Sequence, residues 1–178
     1  MNSKQSIHFH AASLGDINKI MMIYDSARAY MRREGNANQW NGGYPSPELI
    51  ATDIDCGHCY VGTDECGDIV AVFSLIAGED PTYACIDGEW LNDLPYATIH
   101  RLASSGKVKG VLKACVDFCS ALHANLRADT HECNRTMLAR LSACGFIRCG
   151  IIRIADGSPR IAFQRPCANS QQSVQSRK

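Results

Sequence analysis

The chain has 178 residues, enough to bury a real core, and its 18 Lys and Arg balance its 18 Asp and Glu. A formal net charge of zero carries no global pull towards nucleic acid or a membrane surface, so neither is expected as a partner. The amino terminus has no apolar core like a signal peptide's and no apolar run is long enough to span a bilayer, so a soluble, cytoplasmic protein is expected.

Residues 1–6 read as a flexible start and Ile7 to Ala12 as a short strand. Ser13, with Asp16 three residues later, forms an imperfect capping box, after which Leu14, Ile17, Ile20, Met21, Tyr24 and Ala27 keep helical spacing to about Glu34. Gly35 stops that helix. The Gly- and Asn-rich loop that follows carries Trp40 and Tyr44; large aromatics kept in a loop either pin it to the core or shape a pocket, and both are taken as candidate substrate residues. Ser46 before Pro47 is an N-cap with proline at the first helical position, opening a short helix to about Asp55.

Cys56-Gly57-His58-Cys59 has the sequence of a disulfide-isomerase active site, and Cys66 adds a nearby thiol. A redox pair of that kind opens a helix, whereas this one follows a helical pattern and leads into a strand; a structural zinc site needs a second such pair, and the sequence has none. No metal is expected, and the ten cysteines are read as reduced thiols. Cys59 to Thr63 and Ile69 to Ile76 form a hairpin around the turn Asp64 to Asp68. The connection from Gly78 to Ala97 holds Glu79, Asp80, Asp87, Glu89 and Asp93 with Tyr83, Trp90 and Tyr96, and no Lys or Arg. Local acidity of this kind suits a cationic partner or simply a solvated loop.

Thr98 to Ala103 is a strand, Ser104 to Lys109 a short lysine-rich loop, and from Gly110 the residues Val111, Cys115, Phe118 and Leu122 recur at helical spacing. Lys107, Lys109 and Lys113 lie at the positive end of the helix macrodipole, where Asp or Glu would be favoured, so an anion is the natural compensation. First-turn amides, a glycine permitting close approach and flanking cations together suit a phosphate group. Solvated lysines on a plain connection remain the alternative at this point. A strand over Asn125 to Thr130, a helix over Cys133 to Ala143, and strands over Ile147 to Ile154 and Arg160 to Gln164 complete the ordered chain, and residues 166–178 read as a disordered tail.

This order of elements resembles the GNAT superfamily of acyl-CoA-dependent N-acyltransferases. Ile99-His100-Arg101-Leu102-Ala103-Ser104 resembles the family's fourth strand, and Lys107-Val108-Lys109-Gly110-Val111-Leu112 its pyrophosphate loop. Leu126 to Thr130, Asn134, and Leu141 to Gly145-Phe146 resemble its fifth strand and last helix. The resemblance covers residues 7–165 and implies an α/β (α+β) fold: a single GNAT-like domain with a central mixed, mostly antiparallel sheet flanked by helices. It implies acetyl-CoA as cosubstrate, its pantetheine arm passing Leu102 and Ala103 and its pyrophosphate held at Lys107, Val108, Lys109, Gly110, Val111, Leu112 and Lys113, with Asn134 at the cofactor or the reacting carbonyl. His100 stands where some relatives place a basic Glu, and an imidazole suits a base near neutral pH; His131 and Glu132 are the other catalytic candidates. Trp40, Tyr44, Trp90 and Tyr96 are the candidate acceptor residues, and the acceptor is expected to be a primary amine of a small molecule or peptide. A homodimer is left open. Leu112 replaces a small residue, and Leu141 stands where many members carry the tyrosine that protonates the leaving thiolate, so a CoA- or anion-binding module without catalysis is the alternative.

Overall fold

Local signals in the first sixty residues become elements nearly as they read. The computed structural model describes residues 6–166; the expected flexible start and tail lie outside the described residues except for Ser6 and Pro166. Strand β1 (His8–Ala11) leads through a 3-10 turn over Leu14–Asp16 into helix α1 (Ile17–Arg33). At that junction the Ser13 backbone N–H and hydroxyl both donate to Asp16 Oδ2, at 2.8 and 2.7 Å, and these bonds hold the Asp16 carboxyl below its usual value. Helix α2 (Pro47–Asp55) starts on Ser46, whose hydroxyl accepts from the Leu49 N–H at 3.3 Å. Strands β2 (Cys59–Thr63) and β3 (Ile69–Ala77) form the expected hairpin.

Beyond it come β4 (Asp87–Gly88), β5 (Ala97–Ser104), α3 (Val111–Leu122), β6 (Leu126–Thr130), α4 (Arg135–Ala143), β7 (Ile147–Arg153) and β8 (Pro159–Arg165). Among the described residues eight strands make one mixed, mostly antiparallel sheet in the order β1-β2-β3-β5-β6-β8-β7-β4, with four α-helices. The strand β4 was not legible in the sequence. It pairs with β7 through Gly88 and Gly150, and a side chain on either glycine would overlap the opposing backbone, Cys149 carbonyl in one case and Asp87 carbonyl in the other.

The chain divides into two compact units. One comprises the chain up to Ile76 together with Ile99–Cys115. Its core joins Ile20, Ile23 and Tyr24 of α1 and Ile50 of α2 to Cys59, Val61, Val72 and Ala103 from three strands. Strand β3 is buried from Val70 to Leu75, which accounts for its unbroken apolar sequence. The other unit comprises Ala77–Thr98 and the chain from Val116. There Tyr83, Ile152 and Ala162 form a core, with Ile86, Trp90 and Tyr96 packed on it, and β5 begins by pairing parallel to β6 at Ala97 with Leu126 and Thr98 with Arg127.

Replacing Ser46 by Ala removes the N-cap side-chain acceptor of α2 while leaving Pro47 in place. The expected cost is about 1 kcal/mol, read as a lower urea midpoint with unchanged slope; Ser46→Asp should restore the midpoint.

Candidate active site

The loop after β5 is built to expose its backbone. Gly106 and Gly110 have φ of +79° and +80°, a region that side chains rarely adopt, and a Cβ on either would meet nothing within 4 Å. Between them Val108 is buried, which anchors the loop, while its neighbours Lys107 and Lys109 are exposed, as is Lys113 one turn into α3. The first helical bond of α3 runs from the Ala114 N–H to the Gly110 carbonyl, so the amides before Ala114 lie at the end of the helix where intrahelical partners run out. Two amides at the start of the loop are engaged differently: Gly106 donates to Ser104 Oγ and Lys107 to Ser105 Oγ. Val111 and Leu112 are both buried. Exposed cations beside the open first turn of a helix are the kind of donor set that suits a pyrophosphate.

Strand β5 carries an unusual backbone conformation at Arg101. Arg101 has φ +55°, and among the described residues no other non-glycine is positive. Its carbonyl accepts from the buried Tyr24 hydroxyl at 3.0 Å. Its guanidinium pairs with buried Asp53 at 2.6 Å and donates to Ser74 Oγ at 3.4 Å and to the Tyr44 hydroxyl at 3.3 Å; Ser74 in turn donates to Asp53 at 2.6 Å. The Tyr44 and Asp53 partners raise the Arg101 pKa against the opposing effect of burial. Trp40 lies between Tyr24 and Tyr44, ring centroids 5.5 and 6.5 Å away. One unit therefore gathers Trp40, Tyr44, His100, Leu102, Ala103 and the glycine loop.

The second unit holds the other expected residues. Trp90 and Tyr96 sandwich the Arg127 guanidinium, its central carbon 3.8 Å from each ring centroid, and Arg127 is 5% exposed. Burial lowers the Arg127 pKa, its Nη2 donates to the Asn92 carbonyl of the connection at 3.3 Å, and its Nε has no hydrogen-bond partner. The connection is further held by Leu91 N–H on Gln164, Trp90 Nε1 on the Tyr83 carbonyl, and Asp80 N–H on the Tyr96 hydroxyl. Buried Tyr83 donates to Asp129 at 2.7 Å, and burial pushes its phenol well up. Asn134 caps α4, its Oδ1 accepting from the Met137 N–H, while His131 Nδ1 accepts from the Cys133 N–H and Glu132 is exposed.

Cys56 closes α2 at the surface while Cys59 lies buried in β2, where desolvation, with Asp53 nearby, pushes its thiol up to about 12. The first thiol of the tetrapeptide, Cys56, is the C-cap of α2, whereas a redox pair of this kind opens a helix at its N-terminus. Among the described residues no cluster of three His, Cys, Asp or Glu has a metal-holding arrangement, and no helix is long and apolar enough to cross a membrane.

No family model matches the sequence, and neither does any curated protein. Solved structures do. An acetyltransferase of the GNAT family from Streptococcus agalactiae is 30% identical, with 92% of this chain and 97% of that one covered and a TM-score of 0.82. This chain belongs to the GNAT family of acetyltransferases. A GNAT-family acetyltransferase from Listeria monocytogenes, 20% identical over 89% of this chain and 93% of its own, gives a TM-score of 0.65. A GNAT superfamily phosphinothricin acetyltransferase from Sinorhizobium meliloti in complex with AcCoA, 19% identical over 93% and 91%, gives 0.59; these two share the fold.

In this GNAT chain Leu141 is 2% exposed, a core residue of α4. Sequence reasoning passed over Arg101, Asp53 and Arg127. Strand parity groups Arg101 with the buried Ile99 and Ala103, which was a usable sign that it needs a carboxylate, but nothing local named Asp53, 48 residues upstream. Arg127→Lys keeps the charge and loses the flat group that both rings cover, so it should cost about 2 kcal/mol by urea denaturation, with Trp90 fluorescence reporting the opened sandwich.

Proposed function

We propose that the protein is an N-acetyltransferase that moves an acetyl group from acetyl-CoA to the primary amine of a small molecule or peptide. The observation that carries this reading is the loop from Ser105 to Gly110 opening α3, with positive-φ glycines, exposed lysines and a fit to pyrophosphate. The AcCoA complex of the Sinorhizobium relative supports the same cosubstrate. Acetyl-CoA supplies an activated thioester; everything else is alignment and proton handling by the chain.

The amides and cations from Val108 to Lys113 bind the diphosphate, with Lys107 adding charge, and the backbone at Leu102 and Ala103 lies along the pantetheine arm. His100, one residue before the strained Arg101, takes the proton from the attacking amine directly or through water, with His131 and Glu132 as the alternatives. Asn134 presents its amide towards the cofactor while its oxygen caps α4. Trp40 and Tyr44 face the acceptor. The acidic connection, carrying Trp90 and Tyr96, favours a cationic amine through its charge, since both rings already cover Arg127.

An acetyl-CoA-dependent screen over amines, amino acids, peptides and aminoglycosides tests the reading; CoA binding with no transfer to any of them would leave the binding module instead. Gly110→Val should weaken CoA binding by calorimetry more than Lys107→Ala with Lys109→Ala, because amides hold the phosphates and a branched residue at φ +80° moves them. His100→Ala should lower turnover roughly a hundredfold with CoA affinity little changed. A mutant with near-full turnover and the same pH–rate profile makes His100 structural and moves the base to His131, Glu132 or a water chain.

A further inference from the structure

Tyr44 is held at both ends by an arginine that has its own aspartate. Arg28, paired with Asp25, donates from Nη1 to the Tyr44 carbonyl at 3.0 Å, and Arg101, paired with Asp53, donates to the Tyr44 hydroxyl at 3.3 Å. The second contact closes a circuit. From the Arg101 carbonyl it passes to the Tyr24 hydroxyl, across the rings of Tyr24, Trp40 and Tyr44, and from the Tyr44 hydroxyl back to the Arg101 guanidinium. Arg101 thus grips the aromatic loop with its backbone and its side chain at once, and it does so from the residue between His100 and Leu102.

A loop needing only an anchor already has Trp40 on the buried Tyr24, and Arg28 on the Tyr44 backbone. The further bond places the polar tip of a side chain that remains 39% exposed. A long-range contact that fixes the angle of a half-exposed ring, through a guanidinium fork whose charge is matched by a carboxylate 5% exposed, is a device for direction rather than for burial. We propose that Arg101 is a positioning residue: held by Asp53, it fixes the Tyr44 and Trp40 rings and so sets which acyl acceptors the site takes. This rests on the transferase reading above, in which the two rings face the acceptor. The fork matters because Nη1 reaches Tyr44 while Nη2 reaches Asp53, a spread between two nitrogens that the single nitrogen of a lysine does not reproduce.

Tyr44→Phe removes the hydroxyl and keeps the ring; Arg101→Lys keeps the charge on Asp53 and loses the fork. Each should raise the KM for the best acceptor of the screen roughly tenfold, the factor one lost hydrogen bond to a charged group commands, with the KM for acetyl-CoA unchanged. The double variant should be no worse than the single ones, because both remove one contact. A second measurement reads the loop without activity. The chain has two tryptophans, so in a Trp90→Phe background Trp40 alone fluoresces, and acrylamide quenching of Trp40 should rise in both variants. An active unmutated enzyme whose variants keep the acceptor KM, additive effects in the double variant, or unmoved quenching each overturns the inference. An unmutated enzyme that binds CoA and acetylates no amine is instead the failure of the transferase reading, and the quenching then decides only whether Arg101 holds the loop.

Discussion

The contact on which the first unit turns is the buried pair of Arg101 and Asp53. A non-glycine residue at φ +55° stores about 1–3 kcal/mol of backbone strain, and it persists only where its surroundings over-determine it. Here Tyr24 of α1 holds the carbonyl, Asp53 of α2 holds the charge, and Ser74 of β3 bonds to both charged groups. Two helices and two strands therefore meet on one residue. Losing one partner would leave the other charge buried and alone, a loss of about 3–5 kcal/mol, so the pair has to form for this part of β5 to adopt its shape.

The two buried arginines are compensated by different means, and the difference follows from their neighbours. Arg101 has a carboxylate at 2.6 Å, and its pKa rises. Arg127 has the Trp90 and Tyr96 ring faces at 3.8 Å, and its pKa falls because it is buried. The consequence is a connection clamped by stacking: Trp90 and Tyr96 sit over β6 through Arg127, and Gln164 of β8 receives the Leu91 amide between them in sequence. Acids on this connection stay at its surface, Asp87, Glu89 and Asp93 being exposed, where they can act on an incoming cation only through space.

What the sequence made legible was local. Ser46-Pro47 opened a helix, the Cys59 to Ile76 pattern was a hairpin, and the lysine-rich loop before α3 could be read from a single fact, cations at the wrong end of a dipole. Helix α4 starts at Arg135 rather than Cys133 because Asn134 takes the cap, an end effect that spacing alone does not fix. What stayed hidden were pairings across distance. Acids and aromatics between Gly78 and Ala97 suggested a cation from outside, but the cation that meets the rings is the chain's own Arg127. Periodicity could not reveal it, because the partner arrives from another strand. Two-residue β4 was hidden for the same reason, since its meaning lies in Gly150 opposite.

In the transferase reading proposed above, the anion end of the site obeys a stricter economy than the acceptor end. Val108 is the one buried side chain between Ser105 and Gly110, and the exposed lysines beside it are spaced by it. Placing cations there lowers the stability of α3's first turn, which the helix itself offsets with the apolar face of Val111, Cys115, Val116 and Cys119, all buried. A helix held by its core face can tolerate an unfavourable end, and an unfavourable end is what an anionic ligand reverses on binding. The acceptor end has no such fixed backbone. Its rings lie in a loop that Arg28 and Arg101 both contact, so there the geometry comes from side chains reaching across elements, and in that reading acceptor specificity is expected to change with single substitutions more readily than CoA recognition does.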